Sequence, residues 1–216
     1  MSAVLYLADE PVWLLPQKAL YWPRRQMLVI ADIHFGKAAS FRALGVPVPA
    51  GTTMANLQAL DLLIERHHIR HVLFLGDFLH SRAAHAPATL AALAAWRDRH
   101  PALQLTLVRG NHDARAGDPP SLLRIEMVDE PYALGPFAFC HHPDVLTPAY
   151  VMAGHVHPVY RLRAGWESVL LPCFLVGPER IVLPAFGAFT GGHAVAPQPG
   201  ERLFVTSGEA VLEVPL

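Results

Sequence analysis

Five short apolar runs, expected to be consecutive strands, all stop at residues that can hold a metal ion. Residues 26–32 contain Met27-Leu28-Val29-Ile30 and end in Asp32-Ile33-His34, and residues 72–76 run into Gly76-Asp77. Residues 103–109 lead to Gly110-Asn111-His112-Asp113. Residues 137–140 lead to His141-His142, and residues 150–153 to Gly154-His155-Val156-His157. Unbroken apolar runs of this length read as strands covered on both faces. Between them, residues 53–67 place Met54, Leu57, Leu60, Leu63 and Ile64 at helical spacing after a Gly51-Thr52 start, and residues 87–99 form an Ala-rich helix. Alternating strands and helices argue an α/β layered fold with a largely parallel first sheet. Sites in such sheets form at the carboxyl ends of strands, so the five loops can converge.

Each fragment alone says little. Asp and Gly favour turns, so Gly76-Asp77 is ordinarily turn chemistry, and Asn111-His112-Asp113 can be an Asx turn. In a chain with 13 histidines a single Asp-x-His is more often incidental. Gly154-His155-Val156-His157 is stronger, because alternate residues at a strand end can point two imidazoles at one region. The conjunction of all five, in order and each at a strand end, is what argues for a metal cluster. Carboxylate, imidazole and amide oxygen donors without a thiolate suit Mn, Fe or Zn rather than a structural zinc site.

After residue 167 the pattern changes to short apolar runs punctuated by Pro and Gly, which reads as a mostly antiparallel second sheet. No repeat or linker divides the chain, so one domain over residues 1–216 is expected. The 52% apolar and 16% charged composition suits a well-buried globular protein. Cys140 and Cys173 lie in apolar runs, as buried thiols of a reducing cytoplasm would. Residues 1–15 lack a basic segment and carry Asp9 and Glu10, unlike a signal peptide. The longest apolar run, residues 169–176, is broken by Pro172 and too short to span a bilayer. No membrane role is expected. The formal charge of −1 leaves no global footprint for nucleic acid, so such binding would need a local patch.

In this order the five segments resemble the calcineurin-like metallophosphoesterases, whose Asp-x-His, Gly-Asp, Gly-Asn-His-Asp/Glu, lone His and Gly-His-x-His stand here between residues 32 and 157. The resemblance implies a two-sheet β-sandwich flanked by helices, in the α/β class. It implies that Asp32, His34 and His157 hold one divalent metal, that Asn111, His141 and His155 hold another, and that Asp77 bridges them. Two such ions, about 3.5–4 Å apart, would generate a shared hydroxide that attacks phosphorus in line. His112 would sit over the scissile phosphate, stabilising the transition state or protonating the leaving oxygen. Asp113 would orient a neighbour or cap a turn. At the His141-His142 pair the resemblance favours His141 as the ligand and leaves His142 beside it.

Gly76-Asp77-Phe78-Leu79-His80 is similar to Gly-Asp-Leu-Phe-His of recombination nucleases in this superfamily, where the His borders the DNA phosphodiester. Asp32 to Lys37, Phe41-Arg42, Gly45-Val46-Pro47 and the segment 183–192 resemble one bacterial branch, the ligase-associated DNA damage response endonucleases. That likeness covers nearly the whole chain. It implies a Mn-dependent nuclease acting in DNA repair beside an ATP-dependent DNA ligase and a DEXH-box helicase, on DNA that is single-stranded. Lys37, Arg42, Arg82, Arg109, Arg115, Arg161 and Arg163 are candidate phosphate contacts. Phe35, Phe41 and Trp166 are candidate stacking groups, though packing is the better expectation for each. Two other readings remain: hydrolysis of a small phosphodiester or nucleotide, and a metal-dependent scaffold for repair enzymes that cleaves nothing.

Overall fold

The computed structural model describes residues 1–48 and 51–215. The chain opens with three strands that sequence patterning did not reveal: β1 (Ala3–Leu7), β2 (Glu10–Leu15) and β3 (Ala19–Trp22). There follow β4 (Met27–Ala31), α1 (Lys37–Ala43), α2 (Thr52–His67), β5 (His71–Leu75), α3 (Pro87–Arg99), β6 (Gln104–Val108), α4 (Asn111–Ala116) and β7 (Glu126–Val128). These seven strands form one sheet in chain order, antiparallel from β1 to β4 and parallel from β4 to β7.

The second sheet holds nine strands: β8 (Tyr132–Leu134), β9 (Phe137–Cys140), β10 (Tyr150–Ala153), β11 (Pro158–Ala164), β12 (Glu167–Val176), β13 (Arg180–Val182), β14 (His193–Ala194), β15 (Arg202–Thr206) and β16 (Val211–Val214). It is mixed, since β9, β10 and β13 pair in parallel while β12, β15 and β16 pair antiparallel.

Why the central runs are continuously apolar is now visible. Successive residues of a strand point to opposite faces. Leu28 and Ile30 of β4, Val72 and Phe74 of β5, and Leu105 and Leu107 of β6 pack with Leu57, Leu60, Leu63, Leu93 and Trp96 of α2 and α3. Met27, Val29, Ala31, Leu73, Leu75 and Val108 instead meet Phe137, Phe139, Met152, Phe174 and Phe204 of the second sheet. Helices, sheet, sheet: the first sheet is buried on both sides. The fold is the expected two-sheet sandwich flanked by helices.

Two expectations need correction. The five ligand-bearing strands are not consecutive, because β7 and β8 intervene, and β9 and β10 lie in the second sheet. The first sheet is also only half parallel, because the unforeseen N-terminal strands extend it by hairpins. Cys140 and Cys173 are buried and free, as expected of core thiols. Among the described residues no helix is long and apolar enough to cross a membrane.

Candidate metal centre

β4, β5 and β6 end side by side, and β9 and β10 of the facing sheet end against them. Asp32, His34, Asp77 and His141 stand at those ends with no more than 4% exposure. Asp32, His34, Asp77 and His157 offer donor atoms that all lie within 4.8 Å of one another. His34 Nε2 is 3.6 Å from Asp77 Oδ2, and His157 Nε2 is 3.4 Å from Asp32 Oδ1. Asp32 Oδ1, His34 Nε2 and His157 Nε2 are buried without a hydrogen-bond partner among the described residues. Buried polar atoms ordinarily have one. Three orphans converging on one point fit a cation among them.

The other half centres on His141. Its Nε2 lies 2.9 Å from Asn111 Oδ1, 3.0 Å from His155 Nδ1 and 3.6 Å from Asp77 Oδ1. Its Nδ1 is 3.0 Å from the Leu75 carbonyl oxygen. A carbonyl only accepts, so Nδ1 carries the proton and Nε2 keeps its lone pair for the cluster. Asp77 therefore turns one oxygen to His34 and the other to His141. A single carboxylate faces both halves.

The backbone is bent to achieve this. Asp32, His34, Asp77, His155 and His157 all take positive φ, between 49° and 68°. Each such residue costs on the order of 1–3 kcal/mol, and such strain clusters at functional sites. Two glycines permit the approach. A Cβ on Gly76 would stand 2.1 Å from His141 Nδ1, and one on Gly110 would stand 2.4 Å from Asp77 Oδ1. Burial, followed by the charges of Lys37 and neighbouring histidines, pulls the pKa of His34 down to about 2, so its imidazole is neutral and able to donate a lone pair.

Asp113 spends both oxygens on backbone. Oδ1 accepts from the N–H groups of Phe78 and Leu79 at 3.0 and 3.1 Å, and Oδ2 from Gly110 at 3.0 Å. Capping and orienting are thus one role: Asp113 starts α4 and pins the loop that carries Asp77. Burial lifts its pKa to about 6 against the Gly110 and Leu79 donors. His112 is half-buried; its backbone N–H donates to Asp77 Oδ1 at 2.9 Å, and its Nδ1 lies 2.7 Å from the His80 carbonyl oxygen. Nε2 then faces the cluster, 3.9 Å from Asp77 Oδ2. His80 Nδ1 stands 3.3 Å from His34 Nδ1. Burial, then His112 and Lys37, lowers the His80 pKa to about 4.

Lys37 begins α1 and feels both Asp32 and Asp77, although burial weighs more and lowers its pKa. Arg42 lies in the last turn of that helix and is exposed, and Arg82 is exposed on the segment after β5, which Ser40 and Ser81 tie to α1 by a 2.7 Å hydrogen bond. Phe41 bridges His80 and Phe189, with ring centroids 6.1 and 5.8 Å away. His142 lies beside the cluster, its ring 4.6 Å from that of His155, and its Nδ1 is 2.6 Å from Glu130 Oε1. Arg109 is engaged elsewhere, with Asp118 and Asp129. Phe35 is core, as expected, whereas Trp166 is fully exposed at the β11–β12 turn, where packing was the expectation.

Two residues escaped sequence reasoning. Glu130 accepts from the backbone N–H groups of both His141 and His142 at 2.7 and 2.9 Å. Buried Asn56 of α2 donates to the Ile33 carbonyl at 3.1 Å and accepts from Ala188 N–H at 2.8 Å, joining the Asp32–His34 loop to the 185–188 segment. Asn56 lies inside α2, and Glu130 follows β7, a three-residue strand too short to read from the sequence; neither sits in a motif, so spacing carried no signal for them.

Residues 26–150 match the family described as calcineurin-like phosphoesterase. The chain is similar to the nuclease MPE of Pseudomonas putida, with 44% identity over 99% of this chain and 100% of that one and a TM-score of 0.89. It is distantly similar to the protein of unknown function AQ665 from Aquifex aeolicus, with 19% identity, 61% and 78% coverage and a TM-score of 0.40. Yfce, a phosphoesterase from E. coli, shows 16% identity, 87% and 97% coverage and a TM-score of 0.45. No curated protein matches the chain.

Proposed function

The chain belongs to the calcineurin-like phosphoesterase family, and from that premise we propose that it is a two-metal phosphodiesterase that cuts DNA. The observation that carries the metal reading is the placement of Asp77, with one oxygen toward His34 and the other toward His141. In this reading Asp32, His34 and His157 hold one divalent ion, Asn111, His141 and His155 the other, and Asp77 both. His141 is taken as the ligand because it is fully buried with Nε2 toward Asn111, His155 and Asp77, while His142 beside it has its Nδ1 engaged by Glu130. A donor set of oxygen and nitrogen without sulfur favours Mn, with Fe or Zn as competitors. When bound, such a pair supplies Lewis acidity, acidifying water and offsetting charge that builds on a phosphate.

The chain's own groups do the rest. His112 Nε2 is aimed at the region between the donors, where an imidazolium can donate to a phosphate or leaving oxygen. Its Nδ1 is fixed on the His80 carbonyl, so the ring cannot turn away. His80 stands beside it, and Lys37, Arg42, Arg82 and Phe41 occupy adjacent segments suited to a strand's phosphates and an unpaired base.

DNA as substrate rests on similarity to a nuclease over the whole chain, together with the sequence likeness to a repair branch. That likeness also underlies a place in DNA repair beside a ligase and a helicase, and the buried free thiols suit the cytoplasm. The test is purified protein with Mn against single-stranded, duplex and flapped DNA, alongside cyclic nucleotides and bis(p-nitrophenyl) phosphate. Internal cleavage of single strands is expected. Brisk turnover of a nucleotide with no DNA cut would move the function to small diesters. No turnover of any diester would leave a scaffold.

A further inference from the structure

A cavity of about 680 Å³ opens where β4, β5 and β6 begin, at the end of the sheet opposite the donor cluster, and Arg25, Arg70, Arg97 and Arg124 line it. The strands are 5 residues long, so at about 3.3 Å per residue the two places lie roughly 15–20 Å apart. Among the described residues, no carboxylate is within ion-pair distance of any of these four guanidiniums, while seven other arginine pairs are satisfied. Glu126 is the one acidic residue in the lining. It accepts from Thr106 Oγ1 at 3.3 Å, and that hydroxyl sits 2.8 Å from His71 Nε2, so the carboxylate is held by neutral partners rather than by an arginine.

Arg97 carries the argument. It is 5% exposed, in the last turn of α3. One of its nitrogens bonds the His100 carbonyl, which is ordinary capping at a helix C-terminus. Its Nε, however, is buried with no hydrogen-bond partner among the described residues. Burial disfavours its cation, and the nearby charge of Arg124 disfavours it further. A buried charge without a counter-charge is costly. Capping α3 requires one arginine and gives no reason to bring a second against it.

We propose that this cavity binds the di- or triphosphate of a nucleotide. Four arginines against one carboxylate leave three excess positive charges in the lining, in a chain whose formal charge is −1. That excess suits a polyphosphate better than a single phosphate, and guanidinium forks match phosphate oxygens in pairs. The volume falls within the range of roughly 300–1,000 Å³ usual for small-ligand sites. The inference is independent of what the strand-end cluster cleaves.

The experiment is calorimetric titration of the full chain with pyrophosphate and with ATP, in buffer freed of divalent metal by a chelating resin. Without metal, the strand-end cluster has no metal ion to hold phosphate, and any binding by Lys37, Arg42 or Arg82 beside it would be untouched by changes at Arg70 or Arg124. Saturable binding near one per chain is expected for at least one of the two. Arg124→Glu and Arg70→Glu, both exposed positions, should each weaken it at least tenfold while leaving Mn-dependent hydrolysis of bis(p-nitrophenyl) phosphate unchanged. Arg97→Met should abolish it; should that buried change prevent folding, the two exposed variants still decide. Equal binding of both probes supports recognition of the phosphates alone, and binding of ATP only supports an added contact to the nucleoside. No saturable binding of either probe, or unchanged affinity in both exposed variants, overturns the proposal.

Discussion

The imidazole of His112 lies stacked on that of His80, with ring centroids 4.9 Å apart and planes 21° from parallel. Because His112 Nδ1 also meets the His80 carbonyl oxygen at 2.7 Å, one residue fixes both the tilt and the protonated edge of the other. His112 is thereby held over the donor cluster without spending Nε2 on it. In the reading proposed above, a ring so placed acts on the substrate and is not a ligand.

His112→Ala should therefore retain the metal content of the wild type while losing about 10²–10⁴-fold in rate, the usual size of a lost acid or electrostatic group. Metal analysis and bis(p-nitrophenyl) phosphate turnover on the same preparation check this. Metal lost in step with rate would make His112 a ligand instead.

Gly76→Ala should damage the centre through shape alone. The new Cβ would meet His141 Nδ1 at 2.1 Å, at a φ of 77° that side-chain-bearing residues avoid. A destabilisation on the order of 2–4 kcal/mol is expected, with loss of bound metal. Urea unfolding of wild type and variant measures it. A variant of wild-type stability and metal content would show that the loop relaxes freely.

What the sequence made legible follows from this packing. The ligand strands could be read because both faces of β4, β5 and β6 are buried, which leaves no polar alternation to confuse them. The N-terminal hairpins could not: β1 alternates exposed and buried residues over only five positions, and β2 begins with Glu10-Pro11. α4 was hidden because Asn111, His112 and Asp113 are weak helix formers, and Asp113 reaches back to Gly110 to start the helix anyway. Glu130 and Asn56 act through backbone groups of loops distant in sequence, and single-residue contacts of that kind leave no periodicity.

Lys18 gives a pH signature away from the metal centre. Its ammonium donates to the Phe186 and Gly187 carbonyls at 2.8 and 3.3 Å, and burial lowers its pKa from 10.5 to about 8. Between those values the unfolded chain holds the proton that the native chain has released. This residue's contribution to stability therefore rises with pH across that window, by up to roughly 3 kcal/mol. Unfolding curves at pH 8 and pH 10 should show the stability of wild type improving relative to Lys18→Met. A difference that stays constant with pH would mean Lys18 is not desolvated.

Charge reversal at Arg42 and Arg82 should separate the two substrate classes. Both are exposed, and losing phosphate contacts weakens DNA cleavage and flattens its salt dependence. Turnover of bis(p-nitrophenyl) phosphate should be spared. Lys37→Glu should impair both, since Lys37 lies in the field of Asp32 and Asp77. Equal losses on both substrates from Arg82→Glu would assign that residue to the fold rather than to DNA.

The central claim is that one carboxylate joins two metal positions, and metal stoichiometry tests it most directly. Equilibrium dialysis against Mn, read by atomic emission, should give two ions per chain for the wild type. For Asp77→Ala it should give fewer than one, with hydrolysis abolished, because both positions lose a ligand at once. An Asp77→Ala protein that keeps two ions and substantial activity would contradict the account, as would a wild type that saturates at one.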